Sequence, residues 1–415
     1  MAGASFPSLG LSKDLLQAVR YAGYQEPTAI QARTIPLILE GKDIIAEAKT
    51  GTGKTAGFVL PVLQLLQGGE QQARRTIKAL VLVPTRELAM QVNSAIKDYG
   101  RNLTKPLRSA LIIGGLNIDV QLRSLIHGAD IVVATPGRWL DVTRRQKVDT
   151  GHLKFLIIDE ADKMFDLGFA EELDAVLKLL PIKRQNLLFS ATIDDKVRAL
   201  AGKFMPEAVH IRIEDAVATV EQIHQRVIEV NRTNRGPLLR HLIATEKWEH
   251  VLVFVASVRD ADTMVVKLNK ADIKAEPFHG GLTQAQRERV LAGFKNKEIN
   301  VLVATDLAAR GININKLPYV VNYDLPRSPE DYIHRIGRTA RAGESGTAVT
   351  FIGHEDQAHF YLIEKRARVR LPRESVPGFE LTGDPLPVIK GQAPVKGKRM
   401  SKKDKARAAV KRGEG

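Results

Sequence analysis

Ten runs of branched apolar residues punctuate the chain. The first series is DIIAEA (43–48), ALVLVPT (79–85), SALIIGG (109–115), DIVVATP (130–136), FLIIDEA (155–161) and NLLFSAT (186–192). The second is HVLVFVAS (250–257), INVLVATD (299–306), YVVNYDLP (319–326) and GTAVTFI (346–352). The runs are continuous rather than alternating, which is the pattern of strands covered on both faces, as in parallel sheets flanked by helices. Between them, RELAMQVNSAIKDYG (86–100) and AQRERVLAGFKNK (285–297) carry apolar residues at helical spacing. Strand and helix signals alternate, so the expected class is α/β: two tandem domains, each a mostly parallel sheet covered by helices.

Most apolar runs end in small, polar or charged residues: PTRELA, GG, TPGR, DEAD and SAT, then AS, TD and DLP. Open parallel sheets bind ligands beyond the carboxyl ends of their strands. These endings, in two series, predict two ligand-binding rims. IVVATPGR (131–138) and VLVATDLAAR (301–310) also share a local form, as related domains would. The expected division is a first domain over 1–211, a connection over 212–222 and a second domain over 223–368. Residues 369–415 lose the strand–helix rhythm and are expected to form a Pro-rich and then basic tail without fixed structure.

Charge sharpens this picture. The net charge is +15, and from Lys390 onward ten Lys or Arg face only Asp404 and Glu414. Such a tail is drawn to polyanions by counterion release, so nucleic-acid contact is the expected use of the basic charge. Cysteine is absent, which removes disulfides, thiolate nucleophiles and cysteine zinc sites, and fits a reducing compartment. MAGASFPSLG lacks a basic stretch followed by an apolar core, and no apolar run approaches the roughly 18 residues of a membrane helix. A soluble, cytoplasmic protein is expected.

AKTGTGKT (48–55) follows one strand run and precedes the apolar AGFVLPVLQLL. Gly51 and Gly53 let backbone N–H groups approach phosphate oxygens. Lys54 reaches the β- and γ-phosphates, and Thr55 offers a hydroxyl to Mg²⁺. Ala48 stands where the general pattern has its first glycine. In FLIIDEAD (155–162), three carboxylates close an apolar strand. Taken alone, they describe a solvated acidic turn. With a phosphate loop on the same chain, Asp159 is expected to hold Mg²⁺ and Glu160 to orient or deprotonate the attacking water. HRIGRTAR (334–341) packs His334, Arg335, Arg338 and Arg341 together. Its residues alone leave two readings open: a basic nucleic-acid face, or arginine fingers that stabilise charge on a transferred phosphate.

The combination resembles the DEAD-box ATP-dependent RNA helicases over residues 6 to about 360, with the motifs in that family's order. The N-terminal layout looks most like the bacterial RhlE-type enzymes. The resemblance implies two RecA-like domains and ATP and Mg²⁺ at the first phosphate loop, Ala48, Lys49, Thr50, Gly51, Thr52, Gly53, Lys54 and Thr55. GYQEPTAIQ (23–31) looks like the adenine-reading motif. There Gln31 would bond the adenine edge, Phe6, 25 residues upstream, would stack on it, and Tyr24 and Thr28 would complete the site. Pro84, Thr85, Arg86, Gly114, Gly115, Thr135, Pro136, Gly137 and Arg138 match first-domain RNA contacts. Gln284, Arg287 and Thr305 match second-domain ones. Asp162, Ser190, Thr192, Asp306 and Arg310 match the network that couples the domains. His334 would bridge toward the DEAD carboxylates, and Arg338 and Arg341 would be the fingers.

Two departures stand out. Asn313 occupies a position where the family usually has an Asp near the ribose, and Ala340 stands where it usually has Gly. The expected activity is RNA-stimulated ATP hydrolysis coupled to local, non-processive duplex unwinding or remodelling of RNA–protein particles. The alternative is an ATP-dependent RNA clamp with weak hydrolysis. RNA would be held mostly by its sugar-phosphate backbone, ribosomal or RNA-turnover proteins are the expected partners, and the core is expected to be monomeric.

Overall fold

The computed structural model describes residues 5–48, 51–68, 75–146, 148–213, 223–309, 314, 317–339, 346–367 and 369–383. It contains two seven-stranded sheets in which every strand pair is parallel. The first sheet comprises β1 (Ile44–Glu47), β2 (Ala79–Leu82), β3 (Ser109–Ile112), β4 (Ile131–Ala134), β5 (Phe155–Asp159), β6 (Gln185–Ser190) and β7 (Val209–Arg212). The second comprises β8 (Ile223–Glu229), β9 (Val251–Val255), β10 (Ala275–Phe278), β11 (Val301–Thr305), β12 (Tyr319–Asn322), β13 (Gly346–Ile352) and β14 (Arg373–Glu374).

The spatial orders are β3-β4-β2-β5-β6-β1-β7 and β10-β11-β9-β12-β13-β8-β14. Counted from the first strand of each sheet, they are the same order. The likeness of IVVATPGR and VLVATDLAAR is therefore positional: both leave the fourth strand of their sheet. Helices cover both faces of the sheets. In the first, Ala79, Val81 and Val83 join one core, while Leu80 and Leu82 join the other. This two-sided burial is why the strand runs are continuously apolar.

All ten apolar runs contain strands. The sequence did not reveal β7, β8, β10 and β14. Three physical reasons account for the first three. β7 is largely exposed, β8 carries polar residues at its exposed positions, and β10 is an edge strand containing Pro277, which central strands exclude.

β14 corrects the expected boundary at 368 and the expectation of disorder from 369. Arg373 and Glu374 pair with Val227 and Ile228 of β8. Arg373 also engages Glu364 through both guanidinium nitrogens, and Glu374 accepts from Arg226 at 2.9 Å. Phe379 packs on His241, and Thr382 is hydrogen-bonded to Asn231. Charge pairing holds this segment down, so no apolar rhythm marked it. The basic stretch 390–415 and most of the connection, 214–222, lie outside the described residues.

Candidate active site and RNA-facing rim

β1 delivers the chain into the phosphate loop, and helix Lys54–Gln67 begins at the lysine itself. Gly53 has φ +90°, a left-handed conformation that favours glycine. A Cβ there would lie 2.4 Å from Gln31 Nε2. Gln31 is buried and donates to the Gly53 carbonyl at 3.1 Å, while its side-chain oxygen accepts from Thr28 N–H at 3.0 Å. The predicted base-reading residue is thus joined to the phosphate loop, a partner the sequence did not disclose. Phe6 is buried and stacked on Tyr24, whose hydroxyl meets Tyr99 at 2.9 Å. Lys54 Nζ is buried and donates to the Ala48 carbonyl at 2.9 Å. Thr55 follows in the first helical turn. Lys49 and Thr50 lie outside the described residues.

β5 carries Asp159 to the same rim. Glu160 follows with φ +54°, a strained left-handed turn for a non-glycine residue, so the backbone reverses between the two carboxylates. Both are buried. Asp159 Oδ1 accepts from the Glu160 N–H at 2.9 Å. Burial pushes Asp159 up to about 6 against the pull of Lys54. Burial also pushes Glu160 up, but Lys163 and Lys54 together outweigh it and hold it below the usual carboxylate range. Lys163 lies one helical turn on, with Nζ 2.7 Å from Glu160 Oε1 and nearly no exposure. The two form a buried ion pair. Burial lowers the Lys163 pKa, which Glu160 partly restores. Sequence reasoning missed Lys163. The (i, i+3) spacing from Glu160 was the available signal.

Ser190, at the end of β6, accepts from Asp162 N–H at 3.1 Å, and Thr192 donates to Asp162 Oδ2 at 3.4 Å. The SAT and DEAD segments are therefore joined. Helix Pro329–Ile336 of the second domain brings His334 to this place, and the turn after it brings Arg338. Arg338 acts electrostatically on Glu160 and Lys163. His334 is pushed down to about 4 by burial, then by Lys163, so its imidazole is neutral near pH 7. Arg310, Asn313, Ala340 and Arg341 lie outside the described residues.

Asp306, expected in the interdomain network, has its carboxylate gripped by Arg335 of its own domain, at 2.6 and 2.7 Å. Arg335 also donates to Asn322 and to the Asp324 carbonyl, and lies over the Phe254 ring at 4.8 Å. Buried Arg335 thus pins the helix that carries His334 and leads to Arg338. Thr305, just before Asp306, ends β11 on the same rim.

The first-domain residues expected to contact RNA gather at adjacent strand ends. Pro84, Thr85 and Arg86 leave β2, Gly114 and Gly115 leave β3, and Thr135, Pro136, Gly137 and Arg138 leave β4. Thr85 caps helix Arg86–Gly100 by accepting from Leu88 N–H at 3.3 Å. Gly115 has φ +81°, and a Cβ there would strike the Arg86 guanidinium at 2.2 Å. Arg138 donates to the Leu116 carbonyl at 3.0 Å. Buried Gln121, absent from the sequence reading, clamps Ile113 by accepting from its N–H and donating to its carbonyl. The result is a strip of backbone, hydroxyl and guanidinium groups without aromatic platforms, suited to a sugar-phosphate backbone.

Gln284 and Arg287 do not join that strip. Both are buried where helix Gln284–Lys295 meets helix Arg86–Gly100 of the first domain. Arg287 Nη2 lies 3.1 Å from Glu87 Oε1, and its guanidinium lies over Phe278 at 5.2 Å. Gln284 reaches Met90 Sδ at 3.5 Å. The structure places the pair, expected as RNA contacts, at an interdomain contact. Glu87, in the middle of PTRELA, is their missed partner.

Comparison with known proteins gives the same outline. Residues 28–200 match the DEAD/DEAH box helicase family model, and residues 234–343 match the helicase conserved C-terminal domain. The ATP-dependent RNA helicase CshA of Listeria monocytogenes is 40% identical over 375 residues, covering 90% of this chain and 71% of the relative. The DEAD-box ATP-dependent RNA helicase CshA of Geobacillus kaustophilus is 39% identical, covering 91% and 79%. Among solved structures, Mss116p bound to single-stranded RNA and AMP-PNP superposes with a TM-score of 0.80 at 28% identity, covering 90% of this chain and 80% of that one. Dbp5 of S. cerevisiae bound to RNA and ADP BeF3 gives 0.77 at 31% identity, covering 89% and 95%. The two sheets are accordingly tandem RecA-like domains. Among the described residues, no helix is long and apolar enough to cross a membrane.

Proposed function

The chain belongs to the DEAD-box ATP-dependent RNA helicases, and from that membership we propose how its own residues divide the work. It is an RNA helicase that hydrolyses ATP. The observation that carries the assignment of roles is the convergence of Lys54, Asp159, Glu160 and Arg338 from two domains on one buried rim. ATP lies on the phosphate loop with Lys54 at its terminal phosphates. Gln31 and Phe6 read the base, and the Gln31–Gly53 bond links base recognition to loop shape. Glu160, held ionised by Lys163 and Lys54, is the acceptor for a proton of the attacking water. Arg338, with Arg341, stabilises charge on the transferred phosphoryl group.

The residues fit Mg²⁺. Asp159 Oδ1 accepts from Glu160 N–H, which leaves its second oxygen for a metal-bound water, and Thr55 stands beside Lys54 as the phosphate-loop hydroxyl. A hydrated Mg²⁺ needs few protein ligands, and when bound it would neutralise charge on the phosphate oxygens.

RNA is the partner, held along the strip from Thr85 to Arg138 and by Thr305. Because the catalytic groups belong to two domains, ATP and RNA both favour closure, and their binding is coupled through that one equilibrium. The subgroup is better described as CshA-like than RhlE-like, on the names carried by the relatives above. We infer cytoplasmic residence, a reading that the bacterial helicase relatives support. Ribosomal or RNA-turnover proteins remain the proposed partners, and the domains divide within 212–222.

Steady-state phosphate release from ATP, with single-stranded RNA, DNA of the same sequence, or neither, tests this reading. Stimulation by RNA alone is expected. ATP-dependent RNA retention without any stimulation would replace the helicase with a clamp.

A further inference from the structure

The rim opposite the nucleotide carries a second concave site. A cavity of about 730 Å³ opens where β1, β2, β5 and β6 begin, lined in part by Asp43, Lys78, Lys154, Lys183 and Arg184. All four strands are parallel and only four to six residues long, so the cavity lies roughly 15–20 Å from the catalytic rim along the strands.

Its charge is lopsided. Four cationic side chains line it against a single carboxylate, and Asp43 is already engaged by the backbone and side-chain N–H groups of Asn186 at 2.8 and 2.9 Å. Lys78 leans toward Asp130 at 3.4 Å, and Arg184 is held by Asn186 and the Pro181 carbonyl. Lys154 and Lys183 are exposed and make no ion pair among the described residues. A low-dielectric concavity ringed by one sign of charge concentrates counter-charge.

The surroundings favour one kind of anion. His152 carries the only ring in the lining, so nucleic-acid bases meet no Phe, Tyr or Trp platform there. Leu66 and Leu153 form part of the wall, and Ile182, 97% exposed, directly precedes Lys183 in the chain. The chain's own tail from Lys390 is strongly basic and is repelled. We propose that this cavity is a docking site for an acidic, leucine-bearing peptide segment of a partner protein. Its carboxylates lie on Lys154, Lys183 and Arg184, and its apolar side chain lies against Ile182. A partner there leaves the ATP and RNA rims open.

The test uses the full chain and a fluorescein-labelled peptide of alternating Asp, Glu and Leu, followed by fluorescence anisotropy. Lys154→Glu with Lys183→Glu alters only exposed side chains. Peptide affinity is expected to fall by about tenfold or more, with RNA-stimulated phosphate release unchanged. Unchanged peptide affinity overturns the proposal, because the peptide would then sit on another surface such as the basic tail. A matching loss of oligo(A) binding also overturns it, by making the cavity a nucleic-acid surface.

Discussion

The acidic turn after β5 and the acidic turn after β11 begin alike and end differently. Each follows a buried parallel strand, and each offers an aspartate at the carboxyl rim: Asp159 in the first domain, Asp306 in the second. Asp306 is met by two well-aligned nitrogens of Arg335, whose remaining donors also find partners. At Asp159 and Glu160 the backbone is strained, and two lysines and an arginine of the other domain supply charge. One turn is a finished structural joint. The other gathers Lys54, Lys163 and Arg338 around two buried carboxylates, an electrostatic setting for chemistry on an added phosphate.

The largest effect should come from the first turn. Glu160→Gln keeps the shape and removes the proton acceptor, so RNA-stimulated phosphate release should fall about 10²–10⁴-fold, with ATP-dependent RNA retention intact. Near wild-type turnover would end the assignment. In the second turn, Asp306→Asn should cost stability before it costs chemistry. A fully buried pair loses about 3–5 kcal/mol when one partner goes; Asp306 is partly exposed, so about 2 kcal/mol is expected in chemical denaturation. A change confined to turnover would contradict the contrast.

A third pair spans the domains. Glu87→Arg and Arg287→Glu should each weaken RNA stimulation. The double exchange should recover part of it, with a coupling of about 1–2 kcal/mol in a double-mutant cycle. Zero coupling would remove the interdomain role. The smallest effect concerns His334, which faces Lys163, Asp162, Asp331 and Arg338. Its folded value of about 4 lies below the ordinary 6.5, so folding favours the neutral ring. That contribution is complete above pH 6.5 and is lost as pH falls toward 4. Thermal melting across that window should be flatter for His334→Gln, and parallel curves would refute the point.

The phosphate loop and the DEAD turn were legible because local spacing defines both: glycines after a strand, and acids at a strand end. The paired cores were legible because two-sided burial writes itself as unbroken apolar runs. Gln31 was legible only through family resemblance, since its partner Gly53 lies 22 residues away on another element. Arg335 was hidden for the same reason, Glu87 because its partner Arg287 lies in the other domain, and Gln121 because its partner is the backbone of a turn eight residues back; neither helical nor strand periodicity encodes such contacts. Arg338 could be placed on a basic patch, but only the meeting of two domains aims it at Glu160.

β14 has a consequence for handling the protein. Only two residues long, it lies along the outer side of the seven-residue β8, at the margin of the second sheet. Bare strand margins recruit other chains. A chain cut after 368 would therefore tend to self-associate through β8, at protein concentrations where the longer chain stays dispersed. The segment that resembled the start of a dispensable tail is the seal on that margin.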